Sequence, residues 1–202
     1  MFQEIPANKR SVWMRKPILG IGSNDADYLT EYVLDNIRFR CPYYQTWLHM
    51  LSRCYSSKYQ TRQLSYLNCT VCAEWLLFSN FKAWMILQDW KDKQLDKDLI
   101  TRGNKIYSPE TCIFISQDIN ALLTSCKRNK GDFPTGVSLY KPSGKYSAKI
   151  NMYGKRKHLG YYLTEDEAYQ VYKIFKTAHI RAIALEQTDD RLKQSMLQYI
   201  VE

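Results

Sequence analysis

Three stretches of the chain carry side chains whose types and spacing could do chemistry. The first is Lys145-Tyr146-Ser147-Ala148-Lys149-Ile150-Asn151. Read as a strand, it sends Lys145, Ser147, Lys149 and Asn151 to one face and Tyr146, Ala148 and Ile150 to the other. Arg156 and His158 join the polar set from the following segment, so one face gathers cations and hydrogen-bonding groups. Such a face can hold phosphates and reach base edges in a DNA groove. The second stretch is Leu95-Asp96-Lys97-Asp98, two carboxylates flanking a lysine. The third is Cys69-Thr70-Val71-Cys72, which with Cys54 and Cys112 could give zinc four tetrahedral thiolate ligands. A second C-x-x-C is missing, and buried free thiols are the other reading. Gly20-Ile21-Gly22 is followed by no Gly-Lys-Ser/Thr, so it is not a phosphate loop.

These groups sit in a chain of 202 residues with 29 Lys+Arg against 20 Asp+Glu, a net charge of +9. Residues 1–126 are nearly balanced, at 15 basic to 12 acidic, whereas 127–187 hold 12 basic to 5 acidic. The excess is therefore local, as a docking face for a polyanion requires. A hydrophobic fraction of 45% with 24% charged residues describes a globular chain of one domain or two small ones. No apolar run reaches the roughly 18–20 residues of a membrane span, so no membrane partner is expected. The start, Met-Phe-Gln-Glu-Ile-Pro, lacks the apolar core of a secretory leader. Six irregularly spaced cysteines then suit a reducing, cytoplasmic setting better than a disulfide framework.

The elements that must position these residues can be read from periodicity. Residues 1–40 read as an extension packing on the rest of the chain, with a strand over 12–21 and a turn over 20–25. Tyr44, Trp47, Leu48, Leu51 and Tyr55 form a helical stripe over 43–55, and Trp75, Phe78, Phe81, Trp84 and Met85 form another over 73–88. Short strands are expected at 95–100 and 112–115, with a turn at Gly103-Asn104 between them and a helix over 117–126 after them. Residues 127–135 read as a linker. Strands at 136–140, 145–151 and 156–163, separated by turns at Pro142-Ser143-Gly144 and Tyr153-Gly154, make a meander. Thr164 and Glu167 form a capping box that starts a helix over 165–182. A short helix over 189–200 closes the chain. The fold class is thus α+β, with a three-stranded antiparallel sheet packed on one helix.

Gly136-Val137, Gly144 to Ile150, Gly154-Lys155, His158-Leu159-Gly160-Tyr161-Tyr162, Thr164 to Ala168 and Tyr172 together resemble the APETALA/ethylene-response-factor DNA-binding domain over about 136–180, within a domain read as 136–187. The resemblance implies a sheet that enters the major groove of double-stranded DNA. Ser138, Tyr140, Lys149, Asn151, Arg156 and His158 would read it, and Lys145 and Lys155 would hold phosphates. Upstream, Trp47, Met50, Arg53-Cys54-Tyr55, Val71-Cys72-Ala73-Glu74-Trp75, Phe78, Phe81, Leu95 to Asp98, Gly103 to Cys112 and Ile119-Asn120 resemble the ββα-metal core of phage-type HNH homing endonucleases over about 41–126. That core implies Mg²⁺ or Mn²⁺ held by Asp96 and Asn120, polarising the scissile phosphate while a base activates water.

Many members of that family carry Asp-His on the first strand, and the histidine is the base. Here Lys97 comes after Asp96. Asp98, Asn104 or a histidine from elsewhere, such as His49, would have to serve, or the centre is silent. Asp96, Asp98, Asn104 and Asn120 are the candidate catalytic residues. Three functions are open: a site-specific metal-dependent DNA endonuclease, an inactive DNA-binding or regulatory protein on the same scaffold, or a phage protein that inhibits a host protein.

Overall fold

The computed structural model describes residues 2–124 and 132–201, and it divides into two compact units, Met1–Ser116 and Gln117–Glu202. In the first unit, α1 (Lys9–Trp13) starts where the Asn8 side chain accepts the Ser11 N–H at 2.7 Å. This helix and the turn after it replace the strand expected over 12–21. A hairpin comes next, β1 (Glu31–Leu34) and β2 (Ile37–Arg40), closed by Asp35 and Asn36 at φ 50° and 61°. Both residues are in the left-handed region that a two-residue type I′ turn needs.

Helix α2 (Pro42–Tyr55) begins on a proline, whose missing N–H costs nothing at a first helical position. Its stripe buries Tyr44, Trp47, Met50, Leu51 and Cys54. A short α3 (Ser57–Gln60) and a two-residue strand β3 (Thr70–Val71) come after it. The helix expected over 73–88 is instead a 3₁₀ turn over Ala73–Leu76 and then α4 (Phe78–Ile86). Leu77 between them is extended because Ser23 crosses the chain there. The Ser23 N–H donates to the Leu76 carbonyl at 2.8 Å, and the Phe78 N–H donates to the Ser23 carbonyl at 3.0 Å.

The core of this unit is aromatic. The Trp47 indole donates to the Trp75 carbonyl at 2.7 Å, and Trp75 meets Phe81 edge to face with ring centres 5.1 Å apart. Gly22 of the N-terminal extension lies against this core, where a Cβ would stand 2.4 Å from Leu51 Cδ1 and 2.9 Å from the Trp47 ring. After α4 come β4 (Lys93–Asp96), β5 (Ile106–Tyr107) and β6 (Ile113–Ser116). Strand β4 pairs antiparallel with β6, and β5 pairs parallel with β3.

The second unit opens with α5 (Gln117–Leu123), whose Leu123 carbonyl accepts from the Tyr199 hydroxyl. Most of the linker expected over 127–135, with Lys127, Arg128 and Lys130 of the basic segment, lies outside the described residues. Strands β7 (Val137–Tyr140), β8 (Lys145–Met152) and β9 (Lys155–Tyr162) form an antiparallel sheet in that order. Helix α6 (Glu165–Leu185) crosses one face of it, and α7 (Asp190–Leu197) packs on α6. The capping box forms as expected: the Glu167 N–H donates to Thr164 Oγ1 at 3.2 Å while the Glu167 carboxylate accepts from the Thr164 N–H. Val137, Ala148 and Ala168 meet in the small core between sheet and helix. Among the described residues no helix is long and apolar enough to cross a membrane.

Candidate functional site

Two places in the molecule gather the chemistry that the sequence suggests. The first lies where β4 ends. The Asp96 carboxylate turns back on the chain and accepts the N–H groups of Asp98 and Leu99 at 3.0 and 2.8 Å. Burial holds this carboxyl above the usual aspartate range, the Asp98 charge adds to the rise, and the two amides oppose it.

Lys97 folds inward. Its side chain is 5% exposed, and Nζ pairs with Asp98 Oδ2 and donates to the Asn104 carbonyl, each at 3.1 Å. The rings of Tyr66 and Tyr107 stand 5.9 Å from the same ammonium. Asn104 closes the loop. Its amide donates to the carbonyls of Lys97 (2.7 Å) and Ile106 (2.6 Å), and its oxygen accepts the Ile106 N–H (3.2 Å). From α2, Arg53 donates to the Leu95 carbonyl at 3.1 Å and fixes the strand from behind. A cavity of about 80 Å³ is left, walled by Ser65, Tyr66, Leu95, Asp96, Lys97, Asp98 and Tyr107.

The chemistry of this pocket is set by those bonds. An ammonium locked in an ion pair donates and does not accept, so Lys97 cannot act as the base for water. It can stabilise negative charge on a phosphoryl oxygen. The carboxylates of Asp96 and Asp98 are the hard oxygen donors that Mg²⁺ favours. Asn104 has its side chain spent on backbone groups. Asn120 is on α5, in the second unit. His49 lies exposed on α2, one turn before Arg53. Sequence reading missed Tyr66 and Tyr107, because a buried tyrosine far along the chain gives no signal that it will face a lysine.

None of the four cysteines expected to hold zinc is in a disulfide among the described residues, and Cys54, Cys69 and Cys112 are buried and Cys72 partly so. Burial pushes Cys54 and Cys112 up to about 12. Zinc would have to displace those protons, since it binds thiolate. Among the described residues no group of three or more His, Cys, Asp or Glu is arranged to hold a metal ion.

The second place is the open face of β7–β8–β9. Register fixes its membership, because residues directly opposite each other share a face. Ser138 pairs with Ser147, Tyr140 with Lys145, Lys149 with His158 and Asn151 with Arg156. All of these except Ser147 and Lys149 are well exposed. Lys155 pairs with Met152 and so falls on the helix side, exposed at the hairpin end. Lys157 is also on that side, with its ammonium 5.3 Å from the Phe175 ring. The strand pairing slips by one residue near Leu159, so Ala148 faces Gly160 while Lys149 faces His158. This β-bulge brings Tyr161 to the same face as His158, which strict alternation forbids. Their rings lie 4.6 Å apart, Tyr140 is 4.9 Å from Tyr161, and His158 Nδ1 is 3.3 Å from Ser147 Oγ. No acidic residue occurs between positions 136 and 162.

No family model matches the chain, and no curated protein or solved structure matches it.

Proposed function

We propose that the chain is a DNA-binding endonuclease of HNH type, which grips double-stranded DNA with the open face of β7–β8–β9 and cuts with Mg²⁺ or Mn²⁺ at the Asp96 pocket. One observation carries the binding half. Lys145, Lys149, Arg156, His158, Asn151 and Ser138 share a face of a sheet whose strands contain no acidic residue, while α6 covers the other side. Cations there would neutralise phosphates, and the amide and hydroxyl groups between them are of the kinds that read base edges. If Lys145, Lys149 and Arg156 each meet one phosphate, log affinity falls against log salt with a slope near −2.7, about 40-fold between 50 and 200 mM. A flat salt response removes the reading.

The cutting half rests on the resemblance and on the carboxylates beside an ammonium in one small cavity. A bound ion would supply charge stabilisation at the scissile phosphate, and Asp96 is the residue of the first unit that would hold it. A specific observation favours a second reading, DNA binding without cleavage: Lys97, paired and buried, occupies the place of the expected base. Supercoiled plasmid with Mg²⁺ or Mn²⁺ separates the two. Nicking that Asp96→Ala abolishes supports the endonuclease. Plasmid that stays intact with every metal, yet is retained by the protein in a gel, supports the binding protein. In that second case Lys97→His tests whether the missing base is what silences the centre.

A further inference from the structure

Tyr140, Tyr161 and His158 form a row of rings across the open face of the sheet. The two tyrosines are 43% and 48% exposed, and His158 is exposed beside them. The rings meet diagonally across the middle strand because β8 offers only the small, buried Ser147 at that point. Lys145, Lys149 and Arg156 surround the row.

In a paired duplex the faces of the bases are stacked on one another, and a protein ring can touch only their edges. A ring exposes useful area to a base only when that base has left the stack. A reader of duplex edges gains most from Arg, Asn or Gln, which form bidentate hydrogen bonds to bases. The centre of this face carries three rings instead, with cations around them, which is the arrangement that holds a strand of phosphates while bases stack.

We infer that this face takes DNA with unpaired bases, and that Tyr140 and Tyr161 are the stacking platform for them. The inference rests on the reading that the face binds DNA at all. It assigns Tyr161 a role, a residue that alternation alone places on the wrong side of the sheet.

The test uses the full chain, a fluorescently labelled single strand, and the duplex made from that strand and its complement, compared at one salt concentration. The single strand is expected to bind at least as tightly as the duplex. The double variant Tyr140→Ala/Tyr161→Ala should weaken single-strand binding about tenfold or more, and Tyr161→Ala alone, which removes no residue expected to read a duplex, should weaken single-strand binding about fivefold while changing duplex binding far less. The Phe pair at the same positions should keep single-strand affinity, because it keeps the rings. Lys149→Ala should lower both affinities together. Duplex binding with a weaker single strand, or single-strand binding indifferent to loss of the rings, overturns this inference and leaves the DNA-binding reading standing. No binding to either form overturns both.

Discussion

Gly136 stands at the entrance to the sheet and joins two constraints that can be measured apart. Its φ is +84°, and a Cβ there would lie 2.2 Å from the ring of Tyr172, which α6 holds at 7% exposure. The backbone cannot step aside freely, since the Gly136 carbonyl accepts the Lys149 N–H at 2.8 Å. Gly136→Ala therefore incurs about 1–2 kcal/mol for the left-handed conformation and about 1–3 kcal/mol for overpacking. Gly144 is the internal control. Its φ is +67°, but a Cβ there meets nothing within 4 Å, so Gly144→Ala incurs only the conformational part. For a unit of roughly 86 residues, unfolding entropy near 0.18 kcal/mol/K converts these figures to Tm losses of about 5–10 °C for Gly144→Ala and about 10–25 °C for Gly136→Ala. Thermal melts followed by far-UV circular dichroism report on α6 and the sheet. All five tryptophans lie in the first unit, so their fluorescence follows that unit separately. In a Tyr172→Ala background the Gly136→Ala loss should shrink to that of Gly144→Ala. Equal losses for the two single variants, or an undiminished loss without the Tyr172 ring, would refute the packing account of this glycine.

Three further expectations concern buried polar groups. Burial, followed by the Asp98 charge, raises Asp96 above its unfolded value, so ionising it costs the folded state stability as pH rises through its folded pKa. Asp96→Asn, whose oxygen can still accept from the two amides, should be more stable than the parent at neutral pH, with the gain vanishing below about pH 4 in urea titrations. His179 is 4% exposed, its Nδ1 has no hydrogen-bond partner among the described residues, and it meets the Tyr153 ring edge-on at 4.7 Å. Burial and the Lys176 charge lower its pKa, with Glu186 opposing. The second unit should therefore lose stability as pH falls below about 6.5, and His179→Leu should flatten that dependence. Asn104→Ala removes the amide that caps the Lys97 carbonyl, while the exposed Ile106 carbonyl keeps the Thr111 hydroxyl at 2.7 Å, and should cost the first unit about 1–2 kcal/mol, read as a shift in the denaturant midpoint of tryptophan fluorescence. An Asn104→Ala variant of unchanged stability would instead free that side chain for a role in the cavity.

Local signals in the sequence were enough for the elements that are stabilised locally. The α2 stripe repeats at helical spacing, the Thr164–Glu167 box satisfies its own amides, and Tyr153-Gly154 closes β8 onto β9 within two residues. The Asn8 cap of α1 went unread, because the apolar run Val12-Trp13-Met14 suits a strand as readily as a helix. The break at Leu77 had no local signal at all. Residues 73–88 repeat well enough for one helix, and Ser23, more than fifty positions earlier, takes the backbone groups that would have continued it. The bulge at Leu159 is hidden for a related reason. Period two is the only rule available to sequence reading in a strand, and one extra residue reverses it for Tyr161.

Lys97 shows how far a single position can be read. In the sequence it marks a cation where the resemblance expects a base, which decides nothing about whether that cation faces water, DNA or the core. Its inward turn is imposed by groups distant in sequence: the Tyr66 and Tyr107 rings, the Asn104 carbonyl, and the Arg53 guanidinium that holds the strand before it. A buried ammonium needs a partner, and Asp98 supplies one at 3.1 Å. That pairing leaves Asp96 as the carboxylate in the cavity not tied to the lysine. For the proposed function, the point to measure is whether a metal ion at Asp96 can activate water without help from residue 97.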